Sequence, residues 1–401
     1  MQKNIIVIGG GAAGFFAAIN TAALHPGYNV QVLEKSSSFL SKVKVSGGGR
    51  CNVTHACFDV KQLVKNYPRG EKQLLGPFTR FGPASTLNWF AERGVKLKTE
   101  PDGRMFPVTD LSQTIINCFL NETHKHHVKL LTHQGVEALL PPSQSNPQWQ
   151  ITATGGRHHF ADAVIVTTGS GSGMWKLLEK LGHKITPPVP SLFTFNINDS
   201  TLKGLEGLSV ASATVRIPGI KNLAATGPVL ITHWGLSGPA ILRLSAWGAR
   251  HLAAPKYQFE VEINWAGTGR AEVLETLKAL KQNSPRKNLA TNPQFGIPKR
   301  LWERLVQNTG INYADLSNKQ IEELTNRLAA CRFAVNGRST FKDEFVTAGG
   351  IDLNEVDFKT MQSRKLPGLY FAGEVLDVDA ITGGFNFQCA WTTAWLAANA
   401  V

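Results

Sequence analysis

"IIVIGGGAAGFFAAINTAA", residues 5–23, admits two readings. Lys3, an apolar run and small residues have the outline of a secretory signal, while the same letters also spell a strand that turns into a helix through a glycine-rich bend. Glycine placement separates the two. Gly9, Gly11 and Gly14 stand in G-x-G-x-x-G register directly after the β-branched run Ile5-Ile6-Val7-Ile8. Gly9 permits the tight turn, Gly11 lets a pyrophosphate approach the backbone, and Gly14 lets the helix lie close on the strand. The pattern predicts a helix over 12–24, its N-terminal N–H groups facing that anion and His25-Pro26-Gly27 stopping it. A second strand is expected over 29–35, carrying Glu34 twenty residues beyond Gly14, where a carboxylate accepts from ribose hydroxyls. The stretch is therefore read as a retained dinucleotide-binding βαβ unit, and the protein is expected in the cytoplasm.

Length and composition fit a large globular chain. With 401 residues, 42% of them hydrophobic, it can bury an extensive core and divide into two or three domains. No uninterrupted apolar run reaches the ~18 residues of a membrane helix, so no membrane association is expected. Five cysteines, an odd number without zinc-type pairing, fit a reducing compartment and predict no metal site. Glycosylation triplets at Asn52 and Asn121 then carry no meaning. The net charge of +13 reads first as a solvated basic surface and next as local binding of anionic nucleotides. Lysines and arginines are spread along the chain without a recognisable nucleic-acid module, which makes nucleic acid the minority reading and a small molecule the expected substrate.

Farther along, "KVKVSGGGRCNVT" (42–54) is a glycine-rich loop, followed by a helical and loop region to about Leu120. Short strands are expected at 128–131 and 149–154, joined by a polar turn, and "AVIVTT" (163–168) reads as a buried parallel strand with Gly169 behind it. From about Pro190, "SLFTFNI", "SVASATVRI" and "YQFEVEINW" alternate with period two, the signature of an antiparallel sheet or barrel. Residues 270–330 carry amphipathic helices, one capped by Ser317, and strands return at 331–335 and 344–348. "GLYFAGE" (368–374) reads as a core strand, and a closing helix follows Gly383-Gly384. The expected layout is one α/β domain from 1–189 and 346–401, an inserted antiparallel sheet or barrel from 190–269 and 331–345, and a helical subdomain over 270–330.

Four blocks, "GGGAAG…LEK", "SGGGRCNVT", "THWGLSGPAIL" (232–242) and the stretch from Glu344 to Ala390, together with "GRMFP" (103–107) and "PKRLWERL", carry a resemblance over essentially the whole chain. The chain resembles the bacterial NAD(P)/FAD-dependent oxidoreductases that include the BaiN-type bile-acid-reductase-like and aminoacetone-oxidase-like flavoproteins. The resemblance implies an α/β fold: a glutathione-reductase-type, Rossmann-like FAD-binding domain with an inserted β-barrel and a small helical domain. It implies FAD as cofactor, touched by Gly9, Gly11, Ala12, Ala13, Gly14, Glu34 and Lys35 in the first block. Lys42, Ser46, Gly47, Gly48, Gly49, Arg50, Cys51 and Asn52 follow in the second, and Val136, Thr168 and Gly169 between them and the C-terminal block. That last block supplies Gly373, Glu374, Asp379, Gly384, Phe385, Asn386 and Phe387. One departure is the loop from Thr167 to His183, "TTGSGSGMWKLLEKLGH", where many members have a proline and a glycine-serine turn.

The blocks also make physical sense alone. Three consecutive glycines at 47–49 cost backbone entropy and are worth it where main chain must pass close to something flat or phosphorylated. A helix starting at Gly384-Phe385-Asn386 presents its positive end to a ring that gains negative charge on reduction. Cys51 and Cys57 lack the spacing of flavin disulfide reductases and read as structural; no residue stands at a position of this pattern marked for covalent flavin attachment. His233 is the candidate general acid or base, with a packed histidine as the alternative. Gly169 to Met174 fails as a second dinucleotide fingerprint, leaving NAD(P)H as a transient donor, and Glu34 would repel a phosphate-bearing ribose. Three functions remain open: a reductase driven by NAD(P)H or an amine oxidase using dioxygen; a nucleic-acid-associated flavoprotein without small-molecule turnover; and a flavin-free NAD dehydrogenase. The last leaves the triple-glycine loop unexplained.

Overall fold

A computed structural model describes residues 2–307, 310–339 and 346–401. The first two residues of the strand expected over 344–348 lie outside this set, as does the expected domain boundary at 345. The chain divides into two compact units, 1–189 with 342–401, and 190–341.

In the first unit the β-branched run forms the strand Asn4–Ile8 at the centre of a seven-stranded sheet. Parallel neighbours are Asn29–Leu33 on one side, with Lys129–Leu131 beyond it, and Ala163–Val166 on the other, followed by Leu369–Phe371. Two short antiparallel strands, Val356–Asp357 and Gln362–Ser363, close that edge. The helix Ala12–Leu24 is apolar on nearly every side because it is buried on nearly every side, lying against the closing helix Phe385–Ala400. Phe16 sits between them, its ring 4.6 Å from Trp89 and 5.2 Å from Trp391.

Two details differ from the sequence reading. Trp149–Ala153 does not pair with Lys129–Leu131; it is the middle strand of a separate antiparallel sheet flanked by Val136–Leu140 and Arg157–Ala161. Those outer strands are short, mixed in polarity and partly exposed, so period-two patterning is weak in them. The region before Leu120 also contains a small sheet of Thr54–His55, Arg104–Pro107 and Leu97–Thr99.

The second unit is a closed sheet. Cys331–Asn336 pairs with Gln258–Asn264, and after Gly337, at φ 144°, the same strand continues as Arg338–Ser339 and pairs with Thr194–Asn196. That strand thus joins both ends of the order Gln258–Asn264, Ser209–Arg216, Ala224–Thr232, Gly235–Ser237, Thr194–Asn196, closing the described strands into a barrel. The helices of 270–329 do not form a core of their own. Val273, Leu277, Trp302 and Leu328 belong to one cluster with Val261, Ile263 and Trp265 of the barrel. Ser317 caps the last helix as expected: its Oγ accepts from Gln320 N at 3.2 Å, and Gln320 Oε1 accepts from Ser317 N at 2.8 Å. Among the described residues no helix is long and apolar enough to cross a membrane.

Candidate functional site

The glycine turn after Asn4–Ile8 is a close-packed device. A Cβ on Gly14 would lie 1.9 Å from Gly9 O, and one on Gly9, at φ 110°, would lie 2.7 Å from Thr167 O. Gly11 has nothing within 4 Å of its Cβ position, so its backbone borders open space. There the first N–H groups of the helix Ala12–Leu24, those of Ala12, Ala13 and Gly14, have no intrahelical acceptor. Glu34 closes the turn from the side. Its Oε2 accepts from Gly10 N at 2.8 Å, and its Oε1 accepts from Ser36 N at 2.8 Å and Ser36 Oγ at 2.7 Å. Lys35 Cβ lies 3.3 Å from the Cβ position of Gly135, which brings Val136 to the same end.

The middle of the site joins distant segments. Lys42 Nζ donates to Glu374 Oε2 at 2.8 Å, and Thr347 N to Glu374 Oε1 at 3.1 Å. Gly169 lies beside the same carboxylate, and Gly373 packs on Ala13. Thr168 Oγ1 is buried without a hydrogen-bond partner. Asp379, fully buried, has both carboxylate oxygens engaged by Arg69.

At the other end a helix starts at Ser41 and breaks where Ser46 turns extended, after which Gly47, Gly48 and Gly49 adopt φ of 57°, 68° and 84°. Cβ atoms on Gly48 and Gly49 would meet nothing within 4 Å. Ser46 Oγ donates to Val43 O at 2.8 Å, and Arg50 stacks 3.9 Å from the Phe106 ring while pairing with Glu100 at 2.6 Å. Burial pushes the Cys51 thiol up to about 12, so it stays protonated. Asn52 reaches the closing helix: its amide oxygen accepts from Gly384 N at 2.9 Å and its nitrogen donates to Thr54 O at 3.0 Å.

Of the C-terminal residues, Asn386 and Phe387 direct their side chains inward. Asn386 brackets Ala380 through N and O, and Phe387 stacks on Trp391 at 5.3 Å. What the helix start offers a ligand is backbone N–H. Phe385 lies under His55, rings 4.6 Å apart, and its carbonyl accepts from the buried Tyr67 hydroxyl at 2.6 Å. Burial lowers the His55 pKa. Ser36, His55, Tyr67, Arg69 and Thr347 were not singled out by sequence; only the need of buried Asp379 for a cation hints at one of them, and nothing local says which.

His233 belongs to the second unit. It is exposed on the turn between Ala224–Thr232 and Gly235–Ser237, where Thr232 Oγ1 accepts from Trp234 N at 3.3 Å and donates to Gly235 O at 3.2 Å. A Cβ on Gly235 would strike Phe195 O at 2.3 Å, so the turn is built on glycine.

The residues of the first unit fit FAD. Three glycines open onto unfilled space, a threonine hydroxyl is buried without a partner, the Glu34 carboxylate stands beside the glycine turn, and two helix N-termini leave N–H groups without intrahelical acceptors. A glutathione-reductase-type sheet with this cradle and an inserted barrel defines an FAD-dependent flavoprotein oxidoreductase. The chain belongs to the family described as HI0933-like protein Rossmann domain, which matches residues 3–400. A 3-dehydro-bile acid delta(4,6)-reductase of Clostridium scindens is 31% identical to it, the alignment covering 100% of this chain and 99% of the relative. A ribosomal RNA dihydrouridine synthase of Escherichia coli is 30% identical, covering 98% and 96%. The fold is similar to that of a 3-ketosteroid-delta4-(5alpha)-dehydrogenase of Rhodococcus jostii RHA1, with TM-score 0.51 at 12% identity over 99% of this chain and 97% of that one.

Proposed function

We propose that this chain is a cytoplasmic reductase of carbon–carbon double bonds conjugated to a carbonyl, with non-covalent FAD recharged by NAD(P)H. The observation that carries the reading is the pair of end-to-end relatives. A delta(4,6)-reductase of a 3-dehydro bile acid and a dihydrouridine synthase take, by their names, very different substrates. The bond each saturates is the same in kind: a C=C polarised by a neighbouring C=O. Five unpaired cysteines support a reducing compartment.

Bound FAD would supply hydride chemistry, and the protein supplies binding, orientation and electrostatics. The N–H groups of Ala12, Ala13 and Gly14 would face the pyrophosphate and Glu34 the ribose hydroxyls, which would disfavour a phosphorylated ribose there. The N–H groups at Phe385–Phe387 present a positive helix end that stabilises negative charge on a ring facing it. Saturating the double bond adds hydride at the β carbon and a proton at the α carbon. His233 is proposed as the protein group that holds that proton, and Trp234 as an apolar wall.

Anaerobic mixing of the yellow protein with NADH or NADPH should bleach its visible band, and a conjugated enone or uridine compound should restore it. Fast reoxidation by air alone, with an amine as the better reductant, would overturn the reductase reading in favour of an oxidase. His233→Ala and Trp234→Ala should keep flavin content while altering turnover; unchanged kinetics in both would assign the turn to packing alone.

A further inference from the structure

Beside the Thr232–Gly235 turn lies a pocket of about 260 Å³, formed wholly by residues of the second unit. Its composition is unlike that of a lipid site. Three side-chain amides, Asn196, Asn198 and Asn336, share the lining with Asp199, Lys203, Glu206 and His233, while the apolar part is limited to Ile197, Leu202 and Trp234. Drug-sized apolar ligands take pockets of roughly 300–1,000 Å³ lined mainly by hydrophobic and aromatic groups. A four-ring steroid is therefore mismatched here in both size and polarity. A single planar heterocycle with a hydrogen-bonding edge is not.

Trp234 sets the second condition. It is 61% exposed, on a turn whose backbone is tied by the Thr232 hydroxyl, so its indole stands out from a fixed backbone position with a free surface. An exposed ring next to amides suits base stacking with edge readout, since every nucleobase has a π-face and side-chain amides pair with base edges.

The rim is cationic. Lys203 is exposed, Arg304 donates to Lys203 O at 3.3 Å, and Arg300 donates to Gly204 O, which fixes both guanidinium groups beside the loop. Two acids, Asp199 and Glu206, stand against these three cations: Asp199 Oδ1 accepts from Thr201 N at 2.8 Å and Glu206 Oε1 from Gly204 N at 3.1 Å, which leaves the balance positive by one. Together with the net charge of +13, this favours an anionic ligand.

We propose that this pocket holds one base of a single-stranded RNA, stacked on Trp234, with the flanking phosphates on Lys203, Arg300 and Arg304. The inference deepens the reductase reading by naming the class of molecule presented to the enzyme, and it rests on that reading for the reaction alone. A free mononucleotide would satisfy the same chemistry, but the three cations spread along the rim suit a chain of phosphates.

The test is fluorescence anisotropy of a labelled, uridine-rich oligoribonucleotide on the oxidised flavin-loaded protein, without any electron donor, at low and raised salt. The parent should bind with salt-dependent affinity. Trp234→Ala should weaken binding about tenfold and Trp234→Phe should recover most of it. The Lys203→Gln, Arg300→Gln pair should flatten the salt dependence by about two charges. Flavin content and melting temperature check the fold of each variant, and the exposed lysine–arginine pair decides the matter if the tryptophan variants do not fold. Absence of RNA binding by the parent, parental affinity in Trp234→Ala, or displacement of RNA by uridine monophosphate at matched nucleotide concentration would overturn the proposal. Because no turnover is involved, such a failure leaves enone reduction by NAD(P)H to be judged separately.

Discussion

The Asn52 amide oxygen and the Gly384 N–H meet at 2.9 Å, tying the triple-glycine segment to the first turn of the closing helix across more than 300 residues. Gly384, at φ 89°, has its Cβ position 2.5 Å from Thr54 O, so the two segments touch through bare backbone. Asn52→Ala removes the acceptor and leaves that N–H unsatisfied, a cost of about 1–3 kcal/mol. A lower melting temperature together with weaker FAD retention is the expected outcome. Loss of stability with FAD occupancy unchanged after gel filtration would place Asn52 in the scaffold only.

The Glu34 oxygen that props Gly10 N belongs to the carboxylate proposed for the ribose, so the residue would have two tasks. Glu34→Ala should weaken FAD retention by roughly 1.5–3 kcal/mol, the scale of charge-assisted hydrogen bonds. Glu34→Gln keeps an oxygen for one N–H but loses the charge, so it should fall between parent and alanine. Equilibrium dialysis of FAD against the three proteins reads the order directly.

Arg69 and Asp379 form a buried pair, with side-chain exposures of 10% and 0%. Removing one partner of such a pair typically costs about 3–5 kcal/mol, because the other charge stays buried. Arg69→Met should therefore destabilise strongly, and Arg69→Met with Asp379→Leu should lose less than the two single changes added together. Urea unfolding of the four proteins, compared at constant FAD content, gives the coupling; additivity would show the pair to be energetically independent.

His183, Glu355 and Ser363 stand in the order of a hydrolase triad, His183 Nδ1 at 2.9 Å from Glu355 and Nε2 at 3.1 Å from Ser363 Oγ. Ser363 Oγ, however, accepts from Lys365 N and Leu366 N and is buried, so the arrangement braces the edge strand Gln362–Ser363. Burial lowers the His183 pKa more than Glu355 raises it. For Glu355, burial acts upward, but hydrogen bonds from Lys365, Lys184 N and His183 outweigh it and hold its pKa down. Both groups then bind protons more readily in the unfolded chain. Their contribution is intact above the ordinary histidine range near 6.5 and is lost as pH falls, first through His183 and then, below about 4.5, through Glu355. His183→Asn should flatten the fall in melting temperature between neutral pH and about pH 5, by at most about 1.4 kcal/mol per pH unit. An unchanged slope would assign the acid sensitivity to other groups.

What could be read from sequence had local or strictly periodic causes. Gly9, Gly11 and Gly14 act within one turn, the barrel strands alternate, and Gly383-Gly384 marks a helix start. The strands Val136–Leu140 and Arg157–Ala161 escaped because they are short and mixed in polarity. Arg69 escaped for another reason: a buried ion pair spanning 310 residues leaves no spacing signal. The helices of 270–329 were legible as helices, but their shared core with Val261 and Trp265 depends on which faces meet. At the candidate site, sequence named the backbone cradle, while Ser36 and Thr347, which hold its two carboxylates in place, contribute through contacts that only folding creates.

The central sheet takes Asn4–Ile8 from the start of the chain and Leu369–Phe371 from near its end, with the barrel encoded between them. On a ribosome this imposes a timetable. The barrel's strands lie within residues 194–339, so it can close while later residues are still being added. The flavin cradle must wait for residues 369–387, and until then the apolar face of the helix Ala12–Leu24 lacks the partner helix that covers it. The apolar face of Ala12–Leu24 is thus without its native cover for most of synthesis, and the cradle is complete only once the last block has been translated.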